Sequence, residues 1–178
     1  MASESLAALL QPGYLEGLPS LPIDQIRSRR DQATEVEVGL SYVRRLIQGR
    51  LDIVLAEVRQ RETGEPGGDV AELVRRLPEI LGDRVRGPGT GRLPTLMAPA
   101  ELELTEVYRL DEIVDADSLA SLPRLSDGEL GEVVDTLAAF EHEVSAGRRA
   151  VHDIIDQLQD ELVRRYKSGE ANVDTLLT

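Results

Sequence analysis

The stretch EVGLSYVRRLIQGRLD, residues 37–52, decides the fold of this 178-residue chain. Five polar residues lie in it at spacings of four, three, four and four: Glu37, Ser41, Arg44, Gln48 and Asp52. The same spacing returns 104 residues later, with His in place of Gln: Glu141, Ser145, Arg148, His152 and Asp156. A residue advances about 100° around an α-helix, so each set forms one polar stripe within an arc of about 80°. We call these sets the first and second motifs, and they predict two long helices.

Apolar residues accompany the motifs and shift with them by the same 104 positions. The first set is Val36, Leu40, Val43, Ile47, Leu51, Val54 and Val58. The second set is Phe140, Val144, Gly147, Val151, Ile155, Leu158 and Leu162. Spacings of three and four residues are typical of the seam of a coiled coil. Because a long helix needs a packed partner to stay ordered, each seam predicts the other as its partner.

The composition favours an all-α fold. Aromatic residues make up only 3% of the chain, so Leu, Val, Ile and Ala must build the core, as they do in coiled coils. The long connection between the motifs leaves room for the chain to run back along the first helix. The predicted fold is therefore all-α, with two long helices that form an antiparallel coiled coil, joined by a connection with a shorter helix and an irregular segment.

Turn residues and a capping box divide the chain. Gly and Pro in the first twenty positions argue against a helix there, while the Ser-x-x-Glu box at Ser126 starts the second long helix. We predict a turn-rich N-terminal segment at 1–20, a first motif helix at 21–63, a connecting region at 64–125, a second motif helix at 126–168 and a flexible tail at 169–178. Within the connection, residues 69–81 are predicted to form the shorter helix, and residues 102–119 short helical turns.

Charge and hydropathy exclude several classes of function. The formal net charge is -13 and the sequence pI is about 4.6, which argues against direct binding of DNA or RNA. No apolar run approaches the length of a membrane span, and the first residues lack the basic start of a signal peptide. We therefore expect a cytoplasmic protein that binds neither nucleic acid nor membranes.

The sequence does not indicate catalysis or a metal centre. The chain has no Cys, no Gly-rich phosphate loop and no nucleophile elbow. Its two histidines, His142 and His152, are ten residues apart, whereas a helical zinc pair is typically separated by four. We expect no catalytic residues and no metal ligands.

Two antiparallel copies of one motif are related by an approximate twofold axis, so the groove between them suits a ligand with a twofold axis. Arg44 and Arg148 can bind phosphate oxygens or guanine O6 and N7, and the motif carboxylates can accept from guanine N1 and N2. Arg45 and Arg149 follow the motif arginines and are additional candidates. Together these groups predict a cyclic guanine dinucleotide as the ligand.

The first motif, the surrounding residues 40–50 (LSYVRRLIQGR) and residues 12–15 (PGYL) resemble the RsiG family of actinobacterial anti-sigma factors. The resemblance spans both long helices. It implies a non-catalytic switch in which the coiled coil binds an intercalated dimer of cyclic di-GMP through all ten motif residues. It also implies that a WhiG-type sporulation sigma factor packs around this complex, so that transcription of sporulation genes is repressed.

The second motif departs from the family pattern at His152, where the family has Gln. His can also donate and accept, so ligand binding is expected to be retained and to depend on pH near neutrality. A structural or incidental role for this His is the other interpretation. The alternative function for the whole chain is a coiled-coil adaptor whose polar stripe pairs with a protein, without a nucleotide ligand.

Overall fold

A computed structural model describes residues 2–64, 74–78, 80 and 105–169. These residues form helices joined by short turns, with no strand among them. We number the α-helices α1 (Ala2–Leu9), α2 (Ile23–Thr63), α3 (Thr105–Ile113), α4 (Ala116–Ser121) and α5 (Asp127–Ser168). Short 3-10 helices lie at Pro12–Leu15, Leu18–Ser20 and Leu122–Arg124, and residues 74–78 and 80 are helical as well.

Helices α2 and α5 lie antiparallel and pack along the predicted seam. Arg27 near the start of α2 contacts Tyr166 near the end of α5, while Arg61 at the end of α2 contacts Asp127 at the start of α5. Most seam residues are buried: Leu40, Val43, Ile47, Val54, Phe140, Val144, Val151, Leu158 and Leu162. Val36, Leu51, Val58 and Ile155 pack against this core while partly exposed. The predicted all-α fold with two long antiparallel helices is confirmed.

The ends of the long helices follow from local sequence. Ser126 and Glu129 form the predicted capping box, in which the Glu129 carboxylate accepts from the Ser126 backbone N–H at 2.7 Å. Both long helices end at a glycine with a left-handed backbone, Gly64 at φ 68° and Gly169 at φ 77°. Glycine adopts this conformation at little steric cost, which explains why each helix stops there.

The 104-residue repeat extends well beyond the motifs. Helix α1 corresponds to α3, and Leu6 and Leu9 of α1 match Leu110 and Ile113 of α3. The 3-10 turn before α2, which begins with Leu18 and Pro19, matches the 3-10 turn before α5. The chain therefore contains two copies of one unit: a short helix, a Leu-Pro turn and a long helix.

Helix α1 contradicts the prediction that the turn-rich segment at residues 1–20 does not form a helix. The turn-forming residues all lie after Gln11, and the preceding residues are mostly Ala, Leu and Ser. An isolated helix of this length is not stable in water, so its packing onto the core must stabilise it. Leu9 is buried there, and Leu6 packs at the edge of the core.

The connecting region agrees with the prediction where it is described. Residues 74–78 and 80 lie within the predicted shorter helix, and α3 and α4 occupy the segment predicted to form short helical turns. The remainder of these two predictions lies outside the described residues. The same holds for the predicted irregular segment and for the predicted tail beyond residue 169.

A Glu–Arg clamp near the end of each long helix binds the Leu-Pro turn that precedes the other long helix. In α5, Arg165 donates from Nε to Glu161 at 2.7 Å and from its two Nη groups to the carbonyls of Leu18 and Leu21. In α2, Arg61 binds Glu57 and the turn before α5 in the same way. Glu57 and Glu161 are buried, so their ionised carboxylates need the arginines as partners to remain stable in the fold.

We expect Arg165→Ala to lower the free energy of unfolding by about 2–3 kcal/mol, because it leaves two carbonyls and a buried carboxylate short of a partner. Arg164 binds the same Glu161 but is 49% exposed. Arg164→Ala should therefore cost less than about 1 kcal/mol and serves as the matched control. Urea unfolding followed by circular dichroism measures both. Equal losses for the two variants would contradict the clamp.

The clamp also predicts that the free energy of unfolding depends on pH in the acidic range. Hydrogen bonds from Arg164 and Arg165 lower the pKa of the Glu161 carboxyl to about 2. The ionised group therefore stabilises the fold above its unfolded pKa of about 4.3, and this contribution is lost as the pH falls towards 2. We expect Glu161→Gln to flatten the fall of the unfolding free energy across this range. Unfolding by urea at a series of pH values measures the slope, with Glu132→Gln, an exposed position, as the control.

Candidate functional site

The two motifs face each other across the α2–α5 interface, near the middle of both helices. Glu141 of α5 accepts three hydrogen bonds at Oε1. Arg44 Nε and Gln48 Nε2 of α2 each donate at 2.9 Å, and the hydroxyl of Ser145 donates at 3.0 Å. Arg44 Nε also lies 2.9 Å from Ser145 Oγ, to which it donates. We call these four residues the second half-site.

The same arrangement recurs with the roles of the helices exchanged. Glu37 of α2 accepts at Oε1 from Arg148 Nε at 3.1 Å and from the Ser41 hydroxyl at 2.6 Å. His152 Nε2 lies 3.1 Å from the same oxygen, in the place that Gln48 takes opposite Glu141. Arg148 Nε also donates to Ser41 Oγ at 2.9 Å. These four residues form the first half-site, and the two half-sites are related by an approximate twofold axis.

Each half-site leaves strong hydrogen-bonding atoms unused. All contacts to the glutamates are made at Oε1, and the arginines use only Nε. Among the residues that the structure describes, none hydrogen-bonds to Oε2 of Glu37 or Glu141, or to the Nη groups of Arg44 or Arg148. Two carboxylate acceptors and two sets of guanidinium donors therefore remain available to a ligand.

The site is half-buried and charged. The arginine side chains are 36% and 32% exposed, and the glutamates are less exposed. Burial raises the pKa of the Glu141 carboxyl, but hydrogen bonds from Ser145, Gln48 and Arg44 outweigh burial, so the pKa is below its ordinary value. Glu141 is therefore ionised at neutral pH and acts only as an acceptor.

The last motif positions differ from each other. Asp52 is buried, whereas Asp156 is exposed. Arg76 donates to the side chain of Gln60 at 2.9 Å, which places the helical stretch at residues 74–78 alongside α2 about two turns beyond Asp52. The twofold relation therefore holds at the centre of the groove and is broken towards this end.

Arg45 and Arg149 lie outside the hydrogen-bonded network. Both are exposed, and Arg45 donates to the backbone carbonyl of Ser41 in its own helix. Each follows a motif arginine directly, so the two lie about 100° around their helices from Arg44 and Arg148. This position is the outer rim of the groove on each side.

Helices α1 and α3 cover the side of the coiled coil opposite the motifs. The sequence did not predict where these two helices pack. A Cβ on Gly147 would lie 3.3 Å from Leu6 of α1, so this glycine lets α1 approach α5. Arg109 of α3 donates two hydrogen bonds to Glu143 of α5. Gly147 and Glu143 lie about 120° and 160° around α5 from Glu141, so α1 and α3 do not cover the motifs.

Fold and site together define an all-helical protein with a twofold, charged groove between two long helices. A model of the RsiG-like family matches residues 12–81 and 116–178, which include both motifs and well over half of the chain. The chain belongs to the RsiG-like family. Membership in this family supports a regulatory role of the anti-sigma-factor type. No curated protein matches the chain at a significant level.

Among residues 2–64, 74–78, 80 and 105–169, no helix has both the length and the apolar character needed to cross a bilayer.

We expect the two cross-helix ion pairs to contribute equally to stability, because the half-sites are related by twofold symmetry. Double-mutant cycles for Arg44 with Glu141 and for Arg148 with Glu37 should each give a coupling energy of about 0.5–1 kcal/mol, the range for half-exposed pairs. Urea unfolding of the alanine variants measures it. The exposed pair Arg30–Asp31 should give a coupling close to zero and serves as the control. Coupling in only one of the two cycles would contradict the symmetric network.

Proposed function

We propose that this chain is an anti-sigma factor that binds a dimer of cyclic di-GMP in the groove between α2 and α5 and sequesters a WhiG-type sigma factor. In this role it represses transcription of sporulation genes in the cytoplasm and has no catalytic activity. The observation that carries the proposal is the twofold arrangement of unused acceptors and donors in the two half-sites. Membership in the RsiG-like family supports a regulatory role of the anti-sigma-factor type.

The unused atoms match the edges of guanine. A carboxylate such as Oε2 of Glu37 can accept from guanine N1–H and the N2 amino group. The free Nη groups of Arg44 and Arg148 can donate to guanine O6 and N7 or to phosphate oxygens. Cyclic di-GMP carries guanines and phosphates in a twofold arrangement, so a bound dimer can present the same groups to both half-sites.

The local charge is compatible with an anionic ligand although the chain is acidic. Exposed charges are screened beyond about 8–10 Å at ordinary ionic strength. The groups nearest the groove include Arg44 and Arg148, with Arg45 and Arg149 on its rim. These four cations act on the ligand at short range, so the net charge of -13 of the whole chain does not prevent an anion from binding there.

The scarcity of aromatic residues fits a ligand that stacks on itself. Proteins that bind isolated bases usually stack them on aromatic side chains. The chain has one Phe, no Trp and four Tyr. An intercalated dimer of cyclic di-GMP stacks its own guanines, so the groove has to supply only hydrogen bonds and charge.

The groove lies on a face of the coiled coil that a partner protein can reach. Helices α1 and α3 pack on the other side of the coiled coil, so they leave the motif face accessible to a partner. A sigma factor that packs over the filled groove would contact both the ligand and the flanking surfaces of α2 and α5. Ligand binding would then strengthen sequestration, because the partner interface includes the ligand.

A second candidate is a coiled-coil adaptor without a nucleotide ligand. It is favoured by one observation: seven of the ten motif residues already hydrogen-bond to one another across the interface. In this case the network would serve to set the register of α2 against α5. The two functions differ in whether the unused glutamate and arginine atoms acquire a partner.

Isothermal titration calorimetry with cyclic di-GMP distinguishes these functions. We expect binding to the wild-type chain and a loss of about a hundredfold in affinity for Arg44→Ala or Arg148→Ala, since each removes charge-assisted hydrogen bonds. Arg59→Ala removes an exposed arginine about two turns beyond Asp52 and should bind like the wild type. Circular dichroism should show nearly unchanged helicity in all three variants.

Two outcomes would favour the adaptor. One is no binding of cyclic di-GMP, either by the chain alone or in the presence of a WhiG-type sigma factor. The other is a collapse of helicity in Arg44→Ala, which would assign this arginine a structural role. Size-exclusion chromatography of the chain with the sigma factor, with and without cyclic di-GMP, tests whether the complex depends on the ligand.

A further inference from the structure

The two half-sites differ at one position, where one has an amide side chain and the other an imidazole, which can take up a proton. In the second half-site, Gln48 Nε2 donates to Oε1 of Glu141 at 2.9 Å. In the first half-site, His152 takes this place, and its Nε2 lies 3.1 Å from Oε1 of Glu37. An amide side chain stays neutral at physiological pH, whereas an imidazole can gain a proton between about pH 5 and pH 8. Only the first half-site can therefore change its charge in this range.

Charged groups on both helices face His152. On α2, Glu37 is the carboxylate in contact with it. On α5, Arg148 lies one turn earlier and binds the same oxygen of Glu37. The other charged residues within one turn of α5 are Arg149, Asp153 and Asp156. The His152 side chain is 43% exposed, so it can exchange protons with solvent.

The formal charges of the half-sites show the consequence of ligand binding. With a neutral imidazole, each half-site contains one carboxylate and one guanidinium, so its charge sums to zero. Each phosphodiester of the ligand that lies beside a half-site adds one negative charge to it. The second half-site has no neutral group that gains a proton near pH 7, but the first has His152. A nearby negative charge favours the protonated imidazole.

We propose that the first half-site takes up a proton at His152 when the anionic ligand binds, so that affinity rises as the pH falls. This proposal rests on the proposed function, because it assigns a regulation to the same groove. By linkage, a ligand that favours the protonated imidazole binds the protonated site more tightly by the same factor. For one charge near a phosphate in a half-exposed groove, we expect about a fivefold change in affinity.

Calorimetry with cyclic di-GMP on the full chain tests this proposal at about pH 6 and about pH 8, two values within the range in which an imidazole can titrate. Titrations in buffers of different ionisation enthalpy report the number of protons taken up. The wild type should bind about fivefold more tightly at the lower pH and take up a fraction of one proton. His152→Gln keeps a donor and an acceptor and should abolish both effects.

His142→Gln is the matched control, because it removes the other imidazole of the chain. His142 is exposed and lies outside both half-sites. This variant should retain the pH dependence and the proton uptake of the wild type. The circular dichroism spectrum of His152→Gln should match that of the wild type, which would show that the long helices are intact in the variant.

Three outcomes would overturn the proposal: equal affinity at both pH values without proton uptake, weaker binding at the lower pH, or proton uptake that persists in His152→Gln. All three presuppose that the ligand binds, so they leave the proposed function standing. Failure of the wild type to bind cyclic di-GMP at either pH would contradict the proposed function itself, and the proton linkage with it.

Discussion

The packing of α2 against α5 along one apolar seam determines where every polar group of the groove lies. A shift of either helix by one residue would rotate its motif by about 100° and move it along the axis by about 1.5 Å. Arg44 Nε could not then reach both Glu141 and Ser145, each 2.9 Å away. The hydrogen bonds of the site are thus a consequence of the seam, whose buried residues provide most of the stabilisation.

The internal duplication explains why one set of contacts occurs twice. Each long helix supplies the glutamate and serine of one half-site and the arginine of the other. Each also carries, near its end, the clamp that binds the turn before its partner. The groove therefore lies between two ends at which the helices are joined by these hydrogen bonds.

The long-helix pair could be predicted because its signal is periodic over about six turns and occurs in two copies. Helix α1 could not be predicted from its own residues, since packing of Leu6 and Leu9 on distant residues stabilises it. Comparison with α3 at the same 104-residue offset would have indicated it. Arg61 and Arg165 are also related by the 104-residue offset. The clamps could not be predicted, because these arginines donate to backbone carbonyls, which the sequence does not distinguish from one another.

For the site, the motif spacing correctly predicted one polar face on each helix. It could not predict that the arginine of one motif binds the glutamate of the other, because that depends on the axial register of the two helices. Nor could it predict that Asp52 is buried while Asp156 is exposed. Identical positions in the two motifs therefore have different surroundings in the folded chain.

The presence of both copies in a single polypeptide has a genetic consequence. If the groove were assembled from two identical chains, one codon change would alter both half-sites at once, and a deleterious substitution would have no intact counterpart. In the fused arrangement a substitution alters one half while the other keeps its original chemistry. The pair Gln48 and His152 is a difference of this kind. Linkage within one chain thus allows two equivalent positions to diverge independently.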